Sequence, residues 1–159
     1  MTGPEILASV EATLIAADLG FPVHLANQED GWGYRDGAAV EISTSPDAEW
    51  AEVSMPEMVE EQITSGNATA LRGNRRPIPL LYVRYFGPTG VEAAVAIGKA
   101  RSIGKLFAGT KVQDSLGGVE FEAGVSTRLL GVGPSANAVG PFFQVESRVR
   151  GLMLFSEAA

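Results

Sequence analysis

A strand, a tight corner and a long helix follow one another in Ile78–Gly109, and this unit constrains the fold more than any other. Residues Ile78–Phe86 are mostly apolar, β-branched or aromatic, which is typical of a half-buried strand. Gly87-Pro88 ends the strand, because a proline has no N–H for a further ladder bond. Thr89 and Glu92 have capping-box spacing, so we predict a helix that begins there and ends immediately before Gly109.

Composition predicts one folded domain spanning residues 1–159. Hydrophobic residues make up 45% of the chain, enough for a packed core. No apolar run approaches the roughly 20 residues of a membrane span, and Met1–Asp18 lacks the basic start of a signal peptide. Cysteine is absent, which excludes disulfides and thiolate metal sites and suits the cytoplasm. The net charge of -7 argues against a surface that grips nucleic acid but fits a wall past which DNA slides.

The first half of the chain predicts one helix followed by short strands. A capping box at Thr2–Glu5 begins the helix, and Gly20 ends it. Asn27–Gly37 is rich in Gly and Asp and is interpreted as a loop. Pro56 should break or bulge one strand, which then resumes through Met58, Val59 and Ile63. The predicted strands are Val23–Ala26, Ala38–Ser43 and Glu49–Met55.

The second half predicts two long loops and several antiparallel strands. Ser65–Pro77 should be an exposed connection, and residues 131–141 a second small-residue loop. The last strand, Phe142–Phe155, alternates apolar residues with Gln144, Glu146, Arg148 and Arg150, as expected of a strand buried on one side. The other predictions are a hairpin of 111–113 with 119–122 and an extended segment at 125–130.

The order α-β-(β)-β-β-α-β-β-β therefore predicts an α+β fold. Because strands arrive in runs, the sheet should be mainly antiparallel, with two helices packed on one face. The other face would meet solvent or another subunit.

Motifs for catalysis are weak. Gly98–Lys105 superficially resembles a phosphate-binding loop, but its spacing is one residue too long and it lies inside the predicted helix. His24 is interpreted as a partly buried, hydrogen-bonded residue of a short strand. We predict no enzymatic activity, no cofactor, and no catalytic or metal-binding residues.

Three features exceed what a single domain needs. The central helix carries a second apolar arc at Val91, Val95 and Leu106, so it is either deeply buried or packed against a neighbouring subunit. The strand Ile78–Phe86 is apolar on both faces. Charge is also segregated: residues 47–61 contain six acids and no base, and the loop that follows carries three arginines. This pattern fits either an internally neutralised hairpin or complementary edges of a ring.

The order of elements resembles the tail terminator proteins of long-tailed bacteriophages and related gene transfer particles. The resemblance extends from about Pro4 to Phe155. Its motifs are Trp50-Ala-Glu-Val53, the Gly- and Arg-rich loop Gly66–Pro77, Tyr82-Val-Arg-Tyr-Phe86, Gly87-Pro88-Thr-Gly90, Leu106-Phe107-Ala-Gly109 and Gly118-Val119-Glu-Phe121. Asn27–Asp47 is longer than the family's usual connection, and the middle loop is more basic.

The resemblance implies a structural virion protein without catalytic activity, assembled in the host cytoplasm. Family members form a hexameric ring at the head-proximal end of the tail tube, end tube polymerisation and dock the tail to the head. The implied partners are further copies of the chain, the tail tube protein and a head–tail connector or stopper protein. DNA would only pass through the lumen, with no sequence-specific binding and no membrane contact.

Two sets of residues are expected to make these contacts. The subunit interface should include Leu80, Tyr82, Arg84, Phe86, Val91, Val95, Glu57, Glu60 and Glu61. The exposed loops should contact the tube or connector through Arg72, Arg75, Arg76, Ser135 and Asn137. The alternatives are another neck or head-completion protein and, from a different class, a small cytoplasmic ligand-binding α+β domain.

Overall fold

The computed structural model describes residues 3–25, 28–43, 45–55, 58–62, 75–114, 117–135 and 138–155. Within these residues the chain forms two helices and ten strands, which confirms the α+β class. The helices are α1 (Gly3–Ala16) and α2 (Ala93–Lys105). The strands are β1 (Val23–Leu25), β2 (Trp32–Arg35), β3 (Ala38–Glu41), β4 (Trp50–Ser54), β5 (Met58–Gln62), β6 (Arg75–Gly87), β7 (Lys111–Asp114), β8 (Gly117–Phe121), β9 (Ser126–Ser135) and β10 (Ala138–Phe155).

The two longest strands, β6 and β10, form the centre of an open sheet. They pair antiparallel from Leu80↔Arg150 to Gly87↔Phe143. The main strand order is β3-β2-β1-β4-β6-β10-β8-β7, with β5 on β6 and β9 on β10. The pairing of β1 with β4 is parallel, and the other pairs of the described residues are antiparallel.

β4 and β5 pair with successive parts of β6, as the proline between them predicts. Ser54 lies opposite Tyr82, and Met58 lies opposite Pro79. The predicted break of this strand and its resumption through Met58 and Val59 are therefore confirmed, and Ile63 lies outside the described residues.

Both helices pack on the same face of the sheet, as predicted. α1 contributes Ile6, Val10 and Leu14 to the main core, and α2 lies across β6 and β10. Alternate residues of β6 meet the helices and are fully buried, namely Leu81, Val83 and Tyr85. The period-two pattern of this strand therefore determines which face the helices cover.

The face turned away from the helices, here called the open face, is covered at one end. A second apolar cluster lies there, consisting of Ile42, Ala48, Trp50, Phe86 and Phe142. The Trp50 ring stacks on Phe86 at 4.8 Å between centroids and meets Phe142 edge-on at 4.8 Å. The segment between β3 and β4 contributes two of the five residues, so this connection is part of the cover.

The prediction of a loop at Asn27–Gly37 is wrong for the second half of that segment. Trp32–Arg35 forms β2, which pairs with β3 through a two-residue turn. Asp36 and Gly37 have φ angles of 52° and 81°, the left-handed pair that a tight hairpin turn requires. Asp-Gly supplies this geometry at low cost, so the same residues that suggested a loop make the hairpin.

The capping box predicted at the start of α2 is also wrong. The helix begins at Ala93, and Glu92 is the N-cap, with no capping hydrogen bond from its side chain. The N–H of Val91 instead donates to the carbonyl of Pro88 at 3.0 Å, so a turn occupies the first predicted helical residues. At the other end, α2 stops at Lys105 and a further turn leads to Gly109, whose φ of 76° explains the glycine. Thr2 of the first predicted capping box lies outside the described residues.

The loop predicted at 131–141 is largely a hairpin instead. β9 continues to Ser135, and β10 begins at Ala138 rather than at Phe142. The register shifts between Gln144 and Val145, next to Gly131, which is the partner of Gln144 and has a φ of 81°. Glycine permits the bulge, and pairing with β10 keeps the surrounding small residues extended.

Candidate interaction surfaces

Three of the predicted interface residues lie together on the open face. Leu80 and Tyr82 are half-buried, and Arg84 is exposed. The guanidinium of Arg148 lies 5.1 Å from the centre of the Tyr82 ring, within cation–π distance. The strand therefore presents a mixed aromatic and cationic surface rather than the purely apolar patch that the sequence predicts.

Four charged residues continue this surface in a row across four strands. In direct register, Glu52 on β4 lies opposite Arg84 on β6, Arg84 opposite Glu146 on β10, and Glu146 opposite Arg128 on β9. We call this row the charge ladder. Opposite charges directly across a strand pair stabilise that pair, so every step of the ladder is favourable.

Glu146 is the best-buried member of the charge ladder, with a side chain only 5% exposed. Its carboxylate accepts hydrogen bonds from Arg148 Nε at 2.6 Å and from Arg128 Nη2 at 3.2 Å, and Arg84 Nη2 lies 3.7 Å away. Burial raises the pKa of Glu146, but the hydrogen bond and charge of Arg148, together with Arg128, outweigh it. The pKa therefore lies below the ordinary value of 4.5.

The sequence assigned Glu146 and Gln144 to the side of the last strand that is not buried, and this is wrong. Both residues are buried: Gln144 lies opposite Phe86 of the second apolar cluster, and the Glu146 carboxylate lies among three arginine side chains. The aromatic residues Trp50, Phe86 and Phe142 lie on this face of three paired strands, and they are the sequence signal that could have revealed the burial of Gln144.

The charge ladder ends at Arg128, on a free edge of the sheet. Among the described residues β9 pairs with β10 and with no second strand. The Arg128 side chain is 64% exposed. Leu129 and Val132, on the same strand, are 51% and 58% exposed and are the two most exposed large hydrophobic residues of the described chain. An unpaired edge that also exposes apolar side chains is a template for pairing with another chain.

Phe86 does not belong to an exposed patch. It is only 2% exposed, because Trp50 and the second apolar cluster cover it within the same chain. Its burial therefore needs no neighbouring subunit, and we remove it from the predicted interface.

Helix α2 is buried on one arc, and its second arc is exposed at Val95. Ala96, Ala100, Ile103 and Gly104 are buried against the sheet, whereas Val95 is 44% exposed. Val91, just before the helix, is half-buried against the main core. Leu106 of the second arc also packs against the main core, so burial within the chain accounts for Val91 and Leu106 but not for Val95. Contact of Val95 with a neighbouring subunit stays a prediction.

The backbone register brings the acidic and basic segments together in one hairpin. Glu61 of β5 lies opposite Arg76 of β6, Glu60 lies opposite Pro77, and Gln62 lies opposite Arg75. The prediction of a loop is therefore wrong for Arg75–Pro77, which is the start of β6. For these residues, the register agrees with the alternative of an internally neutralised hairpin. Ser135 is the last residue of β9, and Glu57, Arg72 and Asn137 lie outside the described residues.

A polar cluster that the sequence did not indicate joins α2 to the sheet. The carboxylate of Glu49 accepts hydrogen bonds from Tyr85 Oη at 2.6 Å and from the Lys99 ammonium. Burial raises the pKa of Glu49, but the hydrogen bonds from Lys99 and Tyr85 outweigh it, so the pKa is lowered. Burial and the neighbouring carboxylate raise the pKa of the Tyr85 hydroxyl. The cluster is a paired acid and base with a neutral phenol, an arrangement that fixes the helix.

The remaining polar candidates fit structural roles. His24 is buried, and its Nδ1 lies 2.6 Å from the carbonyl oxygen of Trp32, as the sequence predicts. In the described part of the chain, no group of three or more His, Cys, Asp or Glu side chains could hold a metal ion. None of the described helices is long and apolar enough to cross a bilayer.

The chain matches no protein-family model and no curated protein.

Proposed function

We propose that this chain is a structural subunit of a phage-type tail. Several copies, expected to be six, would form a ring that caps the head-proximal end of the tail tube. The ring would end tube polymerisation and dock the tail to the head connector or stopper protein, with DNA passing through its lumen.

The observation that carries the proposal is strand β9, which pairs on one side only among the described residues and exposes apolar side chains. A monomer has little use for Leu129 and Val132 beside unpaired backbone groups, since such an edge promotes association. A ring gives the edge a defined partner, and closure removes the danger of open-ended fibres.

The described polar clusters support a structural role rather than a catalytic one. Glu146 is neutralised by arginines, and Glu49 by Lys99, so both carboxylates have lowered pKa values. A general base or acid works best with a pKa near the operating pH, and these shifts move the carboxylates away from it. The arrangement suits fixed ion pairs that hold strands and helix in register.

The test is capping of isolated tail tubes. Purified chain is mixed with isolated phage tail tubes, and tube length and end density are measured by electron microscopy. We expect density at one end only, and tubes that stop growing when more tube protein is added. Tubes that keep growing at both ends, with no bound chain, would overturn the proposal.

The same preparation separates the alternatives. Another neck protein would bind the connector complex without binding the tube end. A small ligand-binding domain would bind neither, and its sedimentation would stay that of a monomer at every concentration.

A further inference from the structure

We propose that neighbouring copies join by adding strand β5 of one copy to the free edge of β9 of the next. The sheet would then run from subunit to subunit. This inference rests on the proposed ring and names its interface.

The first reason is the free edge itself. β9 is ten residues long and pairs on one side only in the described chain. Arg128 lies at this edge, and Leu129 and Val132 are more than half exposed. An added strand would satisfy the outer backbone groups of β9 and cover these two side chains.

The second reason is the charge ladder. From β4 to β9 its signs alternate as Glu52, Arg84, Glu146 and Arg128, so the next strand should supply a carboxylate opposite Arg128. This requirement favours an acidic strand as the occupant, because like charges directly opposite one another are destabilising.

The third reason is that the chain carries an acidic strand at the opposite side of its own sheet. β5 has the sequence Met-Val-Glu-Glu-Gln and, among the described residues, pairs only with β6. β5 and β9 are therefore edges on opposite sides of the central β6–β10 pair. Joining them makes a head-to-tail contact, the type that closes into rings.

Strand direction agrees with this pairing. β5 is antiparallel to β6, β6 to β10, and β10 to β9, so β5 and β9 run in opposite directions. A head-to-tail step that keeps the strand direction therefore gives an antiparallel pair. When Glu61 of one copy lies opposite Arg128 of the next copy, Glu60 of the first lies opposite Leu129 of the second.

Pairing of two β9 strands across a two-fold axis is the competing arrangement. β9 contains no carboxylate, so in any register such a pair gives Arg128 no acidic residue across the new strand pair, and a register centred on Arg128 places the two Arg128 residues directly opposite each other. Repulsion between the two guanidinium groups disfavours it.

The chain has no cysteine, so pairs of introduced cysteines give an unambiguous test. The test variant combines Glu60→Cys with Leu129→Cys. Directly opposed residues of an antiparallel pair have Cα atoms about 4.5–5.5 Å apart, within disulfide range. The matched control combines Glu60→Cys with Val132→Cys, since three residues displace the partner by about 10 Å along the strand, beyond disulfide range. Each single-cysteine variant completes the set, and circular dichroism checks that all of them fold.

Proteins are oxidised both free at high concentration and bound to tail tubes, then separated on non-reducing gels. We expect the 60/129 pair to give a series of covalent oligomers that reductant abolishes, with at least tenfold less product from the 60/132 pair. Dimers from Leu129→Cys alone would instead show two-fold pairing of β9 and overturn the inference. Equal products from both pairs, or none from the 60/129 pair, would also overturn it.

The failures of the two proposals are distinguishable. A wild-type chain that caps tubes while the 60/129 pair stays uncross-linked leaves the ring function intact and refutes this interface. A 60/129 pair that cross-links in a chain without effect on tubes supports the interface and refutes the capping function.

Discussion

Replacing Glu146 by glutamine tests whether the charge ladder holds the centre of the sheet together. The substitution keeps the size of the side chain but puts an NH₂ group where a carboxylate oxygen accepts from a guanidinium. The wild-type carboxylate accepts two charged hydrogen bonds, at 2.6 and 3.2 Å, and lies in a side chain only 5% exposed. A hydrogen bond to a charged group contributes about 1.5–3 kcal/mol. The arginine partners are about half exposed, which reduces this value.

We therefore expect Glu146→Gln to lower the free energy of unfolding by about 2 kcal/mol. For a chain of this length the melting temperature should fall by about 4–8 °C. Urea unfolding followed by tryptophan fluorescence is the suitable assay, because Trp50 is completely buried in the adjacent cluster. The matched control is Glu122→Gln, because the Glu122 carboxylate lies 3.9 Å from Arg150 and both side chains are about half exposed. Its cost should be at most about 0.5 kcal/mol.

The effect should also depend on pH in a defined direction. Because the pKa of Glu146 is lowered in the folded state, its ionised form stabilises the fold above the ordinary value of 4.5. This contribution is lost as the pH falls through the folded-state pKa. The difference between wild type and Glu146→Gln should thus be largest above about pH 5 and shrink below about pH 4. Equal costs for the two glutamine variants, or a difference that stays constant down to pH 3, would refute the reasoning.

Three further predictions use urea unfolding followed by far-ultraviolet circular dichroism, which does not depend on Trp50 as a reporter. Gly104→Ala should destabilise the fold by about 1–3 kcal/mol, because the added Cβ would lie 3.0 and 3.3 Å from two valine methyl carbons. The control on the same helix is Gly98→Ala, whose added Cβ meets nothing within 4 Å and which should stabilise the fold by up to about 1 kcal/mol. Shifts of the same sign in both glycine variants would contradict this packing. Trp50→Ala should cost about 3–5 kcal/mol and remove the near-ultraviolet signal of the aromatic stack; a cost below 1 kcal/mol would show that the second cluster is dispensable. Tyr85→Phe should cost about 1 kcal/mol at neutral pH and less at acid pH, where protonation of Glu49 weakens the bond that Tyr85 donates; a pH-independent cost would count against that bond.

Local patterns predicted the parts of the fold in which each residue's environment follows its neighbours in sequence. The alternation in Ile78–Phe86 placed Leu81, Val83 and Tyr85 against the helices, where they are buried. Pro56 correctly marked the interruption between β4 and β5. These successes depend on side-chain period and on the missing N–H of proline, both of which are properties of the chain itself.

The failures come from groups whose environment is supplied by distant segments. Asp36-Gly37 has loop composition, but pairing of the flanking residues makes it a hairpin turn. Glu146 alternates with apolar residues in the same way whether the face it occupies is wet or covered. The three arginines beside its carboxylate come from three different strands, β6, β9 and β10. A sequence pattern cannot rank these contacts before the strand order is known.

The cover on the two faces of the sheet determines which parts of the described chain are accessible for assembly. The helices cover one face of the sheet, and the second apolar cluster covers one end of the other. Among the described residues, accessible parts include Val95 on α2, Arg84 and Arg128 of the charge ladder, and the edge of β9. An exposed ion pair adds little stability by itself. Four charges in one register nevertheless disfavour a strand that slips by one residue, because the slip moves each charged residue away from the opposite charge on the next strand. The ladder therefore fixes the position of β9, and with it the position of Leu129 and Val132 at the edge. A rigid edge with a terminal positive charge can select both the partner strand and its register, which is the property that a ring of identical subunits requires of each interface.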